Sequence, residues 1–367
     1  MKKYIHERPD WPNFKFEEAQ LRNQITGLHQ AAGKLYGKLD ALGFGVKEEL
    51  LLSSVSDEVV TSSEIEGENI NRSSVRSSVA KRLGLDIAGL VDIPYDKSAD
   101  GIIDIALDAT QNYTVPLTDE RIFGWNAALF PTGFSGLRKI TVGDYRKEDI
   151  SVLSGAIGKE KIHYAAPPPE RVPGEMKEFL FWLENDQQLD FYVKAAVAHL
   201  WFECIHPFDD GNGRIGRAIA DMLLARAEDS PSRYYSLSSQ LLKERNAYYK
   251  ELELASGYSG STTRWITWFL GCVSHAVEAS DHKLEAAKLK AGMFEKIRNV
   301  TTNSRQLLII NALIEGFEGK LTTSKWAKIC KCSHDTALRD IEDLITKNIL
   351  LRSPEGGRST SYMLVLK

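Results

Sequence analysis

Leu21, Ile25, Leu28, Ala32, Leu35, Leu39 and Leu42 alternate spacings of four and three, which aligns them along one stripe of a helix. The stripe spans three heptads, so a short coiled coil shares the pattern, but a helix facing a core is the simpler expectation. Gly43 supplies a stop signal. Val55, Val59, Ser62 and Glu66 share a face of a second helix over residues 53–66, closed by Gly67. Residues 69–82 are polar and Ser-rich and can continue as helix, and 100–111 and 118–129 read as further helices.

The pattern changes over residues 140–169, where Gly143, Gly155, Gly158 and the successive Pro167, Pro168 and Pro169 exclude one long helix. Lys161, Ile162, His163, Tyr164 and Ala165 form a short β-prone run, expected as one arm of a hairpin or flap. Helical signals resume at Pro173, with Met176, Phe179, Leu180 and Leu183 on one face. Residues 191–205 are almost continuously apolar, as a buried helix would be, and Ile219, Met222 and Leu223 continue a second. Residues 241–254 and 265–277 complete a helical domain, and a charged helix over 282–298 leads to a polar linker at 301–305. The last segment predicts helices at 307–317 and 324–329. A third, capped by Ser333, runs to 347. Strands at 350–352 and 362–366 follow, around Pro354, Glu355, Gly356 and Gly357. Three helices and a two-stranded wing resemble a winged helix-turn-helix.

Composition narrows the class. The 367 residues are 43% hydrophobic and 26% charged, with a formal net charge of −4, which argues against coating nucleic acid by charge alone. The start, Met1-Lys2-Lys3-Tyr4-Ile5-His6-Glu7-Arg8, lacks the apolar stretch of a signal peptide, and no run approaches the roughly 20 apolar residues of a membrane span. Four cysteines form no disulfide framework. A cytoplasmic, reduced protein without a membrane partner is the expectation. Cys330, Cys332 and His334 lie close together but lack the fourth ligand or second cluster of a zinc site, so a turn between short helices is expected there.

The chemistry concentrates in His206-Pro207-Phe208-Asp209-Asp210-Gly211-Asn212-Gly213-Arg214-Ile215-Gly216-Arg217. Gly211 and Gly213 permit a tight turn that brings backbone N–H groups to a ligand. The following helix aims its positive end at the loop, making an anion cradle. Arg214 and Arg217, three apart, share a face and can bind phosphates. Asp210 offers a hard oxygen for Mg²⁺, and His206 stands where a general base reaches an incoming hydroxyl. Each residue alone is more often structural. Together they fill the roles of a metal-assisted phosphoryl or nucleotidyl transfer site.

This string resembles the catalytic loop of the Fic family, His-x-Phe-x-Asp/Glu-Gly-Asn-Gly-Arg-x-x-Arg, at every fixed position. The likeness extends to Gly143, Tyr145 and Arg146, to Ile162, His163 and Tyr164, and to Asn246, Tyr248 and Tyr249. The opening, Tyr4 to Pro12, is similar to an extension seen on bacterial relatives. The resemblance implies a mainly α fold: a Fic-type helical core with a β-hairpin flap, preceded by a helical N-terminal domain. The expected domains are 1–100, 101–295 and 300–367.

By resemblance the activity is transfer of AMP from ATP to a hydroxyl of a target protein. His206 would deprotonate the hydroxyl and Phe208 would anchor the loop. Asp210 would hold Mg²⁺, while Gly211, Asn212 and Gly213 cradle the α- and β-phosphates. Arg214 and Arg217 would take the remaining charge, with Tyr249 near the adenine. The flap, Lys161, Ile162, His163 and Tyr164, would align a target segment as an added strand.

Ser62-Ser63-Glu64-Ile65-Glu66-Gly67 matches a second signature of the family, Ser/Thr-x-x-x-Glu-Gly/Asn, with Ser62 and Glu66 on one helix face. The resemblance implies that Glu66 pairs with Arg217 and inhibits transfer. Some relatives with this glutamate remove AMP instead, and others move different nucleotides or phosphocholine. A homodimer is compatible with the family. A DNA-binding regulator is a further reading: residues 320–367 carry nine Lys/Arg against five Asp/Glu, but 333–347 holds four of those acids.

Overall fold

The computed structural model describes residues 3–42, 44–85, 99–154, 161–298, 300–315, 317, 319–353 and 360–365. Helices dominate: α1 (Glu18–Asp40), α2 (Phe44–Ile65), α3 (Arg72–Arg82), α4 (Asp100–Gln111) and α5 (Asp119–Leu129) come first. Two small antiparallel hairpins follow, β1 (Phe134–Ser135) with β2 (Arg138–Lys139), and β3 (Ser151–Ser154) with β4 (Lys161–Ala165). Then come α6 (Val172–Asn185), α7 (Phe191–Ile205), α8 (Asn212–Glu228), α9 (Leu237–Lys243), α10 (Arg245–Ser256) and α11 (Thr262–Arg298). The chain closes with α12 (Ser304–Glu315), β5 (Leu321–Thr322), α13 (Thr323–Ile329), α14 (His334–Thr346), β6 (Leu350–Arg352) and β7 (Ser361–Leu364). Among the described residues, no helix is long and apolar enough to cross a membrane.

The chain divides into two compact units. The larger comprises residues 1–42, 51–79 and 95–282. Its centre is the antiparallel pair α7 and α8. Apart from Phe191 and Glu203, every residue of α7 is buried, including Trp201 and Phe202. A helix that is apolar all round must be enclosed on every side, and α6, α8 and α10 pack against it. The stripe on α1 is buried at Leu21, Leu28, Ala32, Leu35 and Leu39, while Ile25 is only half-buried. Two polar residues in this core find carbonyl partners: Trp265 Nε1 donates to the Ala196 carbonyl at 2.7 Å, and Ser280 donates to that of Tyr234 at 2.5 Å.

The smaller unit comprises residues 43–50, 80–94 and 283–367. Ile309, Ile310, Trp326, Ile341, Leu344 and Leu350 lie in its core. Its sheet has the order β5-β7-β6, with Leu350 opposite Leu364. Ser333 caps α14, as expected, by accepting from Thr336 N. Two of the acids on α14 serve the fold. Asp340 takes Arg305 at 2.7 Å and Asn303 at 2.9 Å, and Asp343 takes Lys347 at 2.6 Å. The charge count along that helix therefore overstates its acidity. Cys332 N donates to the Ala327 carbonyl, closing a turn between α13 and α14.

Several elements differ from the sequence expectation. Residues 241–254, expected as one helix, divide at Glu244 between α9 and α10. Residues 265–298 form part of one helix rather than two, because no Gly or Pro interrupts residues 278–282 and Ser280 finds an internal partner. The second helix begins at Phe44 rather than 53. The pairs β1–β2 and β5–β7 were not expected, since two-residue strands carry no alternation. The expected wing loop at 354–357, like Gly43, Gly155 and Gly158, lies outside the described residues.

Candidate active site

The turn between α7 and α8 is built from backbone outward. His206 ends α7 in the left-handed conformation, with φ 51° and ψ 61°, a region that favours glycine. It is held there from both sides. Its N–H donates to the Phe202 carbonyl at 2.9 Å, and its carbonyl accepts from Arg146 Nε at 2.8 Å. Arg146, 1% exposed, also donates to the carbonyls of Glu148 and Pro167, and its N–H donates to that of Pro207 at 2.9 Å. One guanidinium thus ties the loop to the base of the β3–β4 hairpin. The loop closes on itself through Asn212, whose Oδ1 accepts from Phe208 N at 2.9 Å and whose Nδ2 donates to the Phe208 carbonyl at 2.8 Å. Phe208 is fully buried.

Gly211 precedes α8 with φ 86°, and a side chain there would lie 2.9 Å from Leu129 and 3.0 Å from Phe130. Glycine is needed for both reasons. Asn126 of α5, wholly buried, donates to the Asp210 carbonyl at 3.3 Å and accepts from Gly143 N at 3.1 Å. Sequence reasoning missed Asn126, which belongs to no motif. A polar residue among Ile122, Trp125 and Phe130 was the available signal.

The side chains then divide. His206 Nδ1 lies 3.3 Å from the Glu203 carbonyl, a contact that favours the proton on Nδ1 and leaves Nε2 free to accept. Burial pushes the imidazole down to about 4, so it is neutral at pH 7. Asp210 is 42% exposed, accepts from Gly211 N at 2.6 Å, and lies 3.9 Å from Arg214 Nη2. Its neighbour Asp209 points inward and accepts from Thr141 N at 2.8 Å. Among the described residues no cluster of three or more metal-ligating side chains exists. Asp210 Oδ2 also accepts from Ser135 Oγ, so this half-exposed carboxylate is already engaged by protein donors, but it stands beside the anion cradle and is of the donor type that Mg²⁺ takes together with substrate phosphates.

Both arginines already hold anions. Arg217, 2% exposed, donates from Nε to Ser62 Oγ, from Nη2 to the Ser62 carbonyl and from Nη2 to Glu66 Oε1, each at 2.9 Å. Burial works against its charge, yet Glu66 and other neighbours hold its pKa above the usual arginine range. A methyl group at Gly213 would lie 2.2 Å from Glu66 Oε1, so this carboxylate lies against the first turn of α8. Arg214 Nη1 meets both carboxylate oxygens of Glu68, at 3.0 and 2.9 Å, and its guanidinium stands 5.2 Å over the Phe130 ring. Glu68 was not singled out by sequence reasoning.

The end of α2 places both glutamates. Gly67 has φ 85°, its N–H donates to the Glu64 carbonyl at 3.1 Å, and Glu68 N donates to that of Ser63 at 3.0 Å. This is a Schellman closure, in which a left-handed glycine turns the chain back over the last helical turn. It sets Glu66 and Glu68 on either side of the turn, facing Arg217 and Arg214. Tyr249 donates to the Ile65 carbonyl at 3.0 Å and Arg245 to the same oxygen at 2.6 Å. The Tyr249 hydroxyl is therefore engaged with the end of α2, while the residue stays 43% exposed.

The expected flap residues face different ways. Ile162 is 56% exposed. His163 Nδ1 lies 2.9 Å from Glu253. Tyr164 is buried, donates to the Cys204 carbonyl at 2.8 Å and meets His6 Nδ1 at 3.0 Å, so its side chain anchors the hairpin from beneath. Lys161 contributes backbone to β4.

Comparison with known proteins places this geometry. Residues 116–224 match the model of the Fic/DOC family, and residues 4–85 match a domain of unknown function. The chain is 40% identical over 80 residues to a protein of Aquifex aeolicus named "Probable protein adenylyltransferase", covering 22% of this chain and 23% of that protein. It is 34% identical over 119 residues to a uridine 5′-monophosphate transferase of Xanthomonas campestris, covering 30% and 21%. The chain thus spans less than a quarter of the length of these relatives. Its fold is similar to a Fic family protein of Desulfovibrio desulfuricans, with TM-score 0.53 at 19% identity over 94% of this chain and 96% of the other. It is also similar to Fic-1 of Caenorhabditis elegans, with TM-score 0.52 at 17% identity over 74% of each. Residues 116–224 thus match the Fic/DOC family, within a fold similar to that of solved Fic proteins.

Proposed function

We propose that this protein transfers AMP from ATP to a hydroxyl side chain of a target protein and that Glu66 holds the reaction back. The observation that carries this reading is an anion, the Glu66 carboxylate, set against Gly213 and Arg217 at the start of α8. A site that captures an internal carboxylate is built to capture phosphate.

In the released state the N–H groups of α8's first turn and Arg214 and Arg217 bind the triphosphate. The Asn212 side chain is occupied in closing the loop, so it shapes the cradle and only its backbone faces the ligand. His206 Nε2 accepts the proton of the target hydroxyl, whose oxygen attacks the α-phosphorus in line as the bond to pyrophosphate breaks. Asp210 would hold Mg²⁺, which supplies charge neutralisation on the phosphates. Positioning and stabilisation of developing charge account for most of such catalysis. The flap edge at β4 would hold the target by main-chain pairing, with Ile162 as the exposed side chain beside it.

The uridine 5′-monophosphate transferase among the relatives favours one alternative, a different nucleotide at the same site. The test is label transfer to lysate proteins from α-labelled ATP and, separately, UTP, using wild type, Glu66→Gly and His206→Ala. Transfer from ATP by Glu66→Gly, absent in His206→Ala, supports the reading. Transfer from UTP alone replaces the nucleotide, and AMP release from modified protein without transfer replaces the direction.

A further inference from the structure

Glu203 has no part in the mechanism above, yet it lies one helical turn before His206 on α7. Its side chain is 10% exposed, and Oε2 is 3.9 Å from His206 Nδ1. Oε1 is buried without a hydrogen-bond partner and would lie 2.9 Å from a methyl group at Gly216 of α8. A buried carboxyl with an unsatisfied oxygen is unfavourable for the fold, and its presence at this point calls for a use. The charged and titratable groups that face it are Glu66 at the end of α2, Arg217 of α8, Tyr248 of α10 and, on its own helix, Cys204 and His206.

We propose that Glu203 is a positioning residue for His206, steadying the Nδ1 side of the imidazole and sharing the positive charge that arises when Nε2 takes the substrate proton. The logic is that of a carboxylate behind a histidine base, which orients the ring and stabilises the imidazolium without itself receiving the proton. Here the Glu203 carbonyl already contacts Nδ1 at 3.3 Å, so the carboxylate acts through the field from the second oxygen shell. Burial and the negative Glu66 push the Glu203 carboxyl up to about 8, against the pull of Arg217. Glu203 is therefore largely protonated while Glu66 is seated. This inference rests on the proposed transfer reaction for its kinetic arm only.

The experiment uses the full chain with Glu66→Gly as the active parent and adds Glu203→Gln, which keeps shape and removes the titration. The turnover number for label transfer is measured from pH 5.5 to 9, with ATP affinity measured separately. The expected result is a loss of about 10-fold in turnover, a fraction of the range of general-base assistance, with unchanged ATP affinity. The rise in rate through the Glu203 ionisation should disappear, and Glu203→Asp should restore part of it. A second arm needs no activity: NMR of labelled histidine, assigned with His206→Ala, should show the ring signals of neutral His206 shifting as pH passes through the Glu203 ionisation, and that shift should be lost in Glu203→Gln. Superimposable pH profiles together with His206 signals that behave alike in both variants across that range would overturn the proposal. An inactive parent would instead count against the transfer reading, and the NMR arm would still decide the role of Glu203.

Discussion

Two glutamates hold two arginines, but the structure makes them unequal. Glu66 is 34% exposed against an Arg217 that is 2% exposed, whereas Glu68 is 53% exposed against an Arg214 that is 8% exposed. At 2.9 Å and an effective dielectric of about 20, unit charges attract by roughly 5–6 kcal/mol before desolvation is subtracted. For the Glu66 pair solvent screening is weak, and the carboxylate also lies against Gly213, where phosphate must sit. Misalignment of this kind costs about 10²-fold, so Glu66→Gly should raise turnover by about that factor. The half-exposed Glu68 pair is worth about 0–1 kcal/mol, or at most about fivefold. Because Arg214 would bind phosphate without being obstructed in the cradle, that gain for Glu68→Ala should appear as a lower KM for ATP. The two gains should multiply in the double variant, since they act through different arginines. Arg217→Ala in the Glu66→Gly background should cancel the first gain. The assay is incorporation from α-labelled ATP over a range of ATP concentrations. A Glu68→Ala gain equal to that of Glu66→Gly, or a Glu66→Gly gain that survives Arg217→Ala, would refute the reasoning.

His206→Ala should lower transfer by about 10²–10⁴-fold and leave ATP affinity nearly intact, as read by calorimetry. Asp210→Ala should nearly abolish Mg²⁺-dependent transfer. Asp209→Ala should spare the chemistry and lower Tm instead, because Asp209 braces Thr141 from inside, and equal activity losses would show the metal ligand to be drawn too narrowly. His6, His199 and His206 are each pushed down to about 4 by burial, while an unfolded chain takes up these protons near pH 6.5. Stability from this source should therefore be complete above about pH 6.5 and fall as pH drops towards 4. A Tm measured across that window that did not decline would contradict their burial as neutral rings.

The loop at 206–217 was legible because its chemistry is contiguous: one turn carries base, carboxylate, glycines and arginines. Glu66 was legible because its signature is local to one helix end. Glu68, Asn126, Glu203 and the anchoring use of Arg146 were not, since each acts through contacts 17 to 146 residues away or through a helix face that spacing alone does not single out. Tyr164 and Asn212 lay in the expected segments, yet their side chains turn inward to support the backbone. Motif spacing marks a residue but not the direction in which its side chain points.

The left-handed geometry of His206 has a consequence for how this protein can be improved. A non-glycine residue held in that region costs on the order of 1–3 kcal/mol, and here the cost falls on the residue bearing the base. Glycine would suit the backbone best at position 206 and would leave nothing to take the proton. Selection for thermal robustness alone would therefore drift away from histidine, and screens that score only folding should enrich inactive variants at this site. The residue is kept by its chemistry against the preference of its own backbone, with Arg146 as the brace that makes the compromise tolerable.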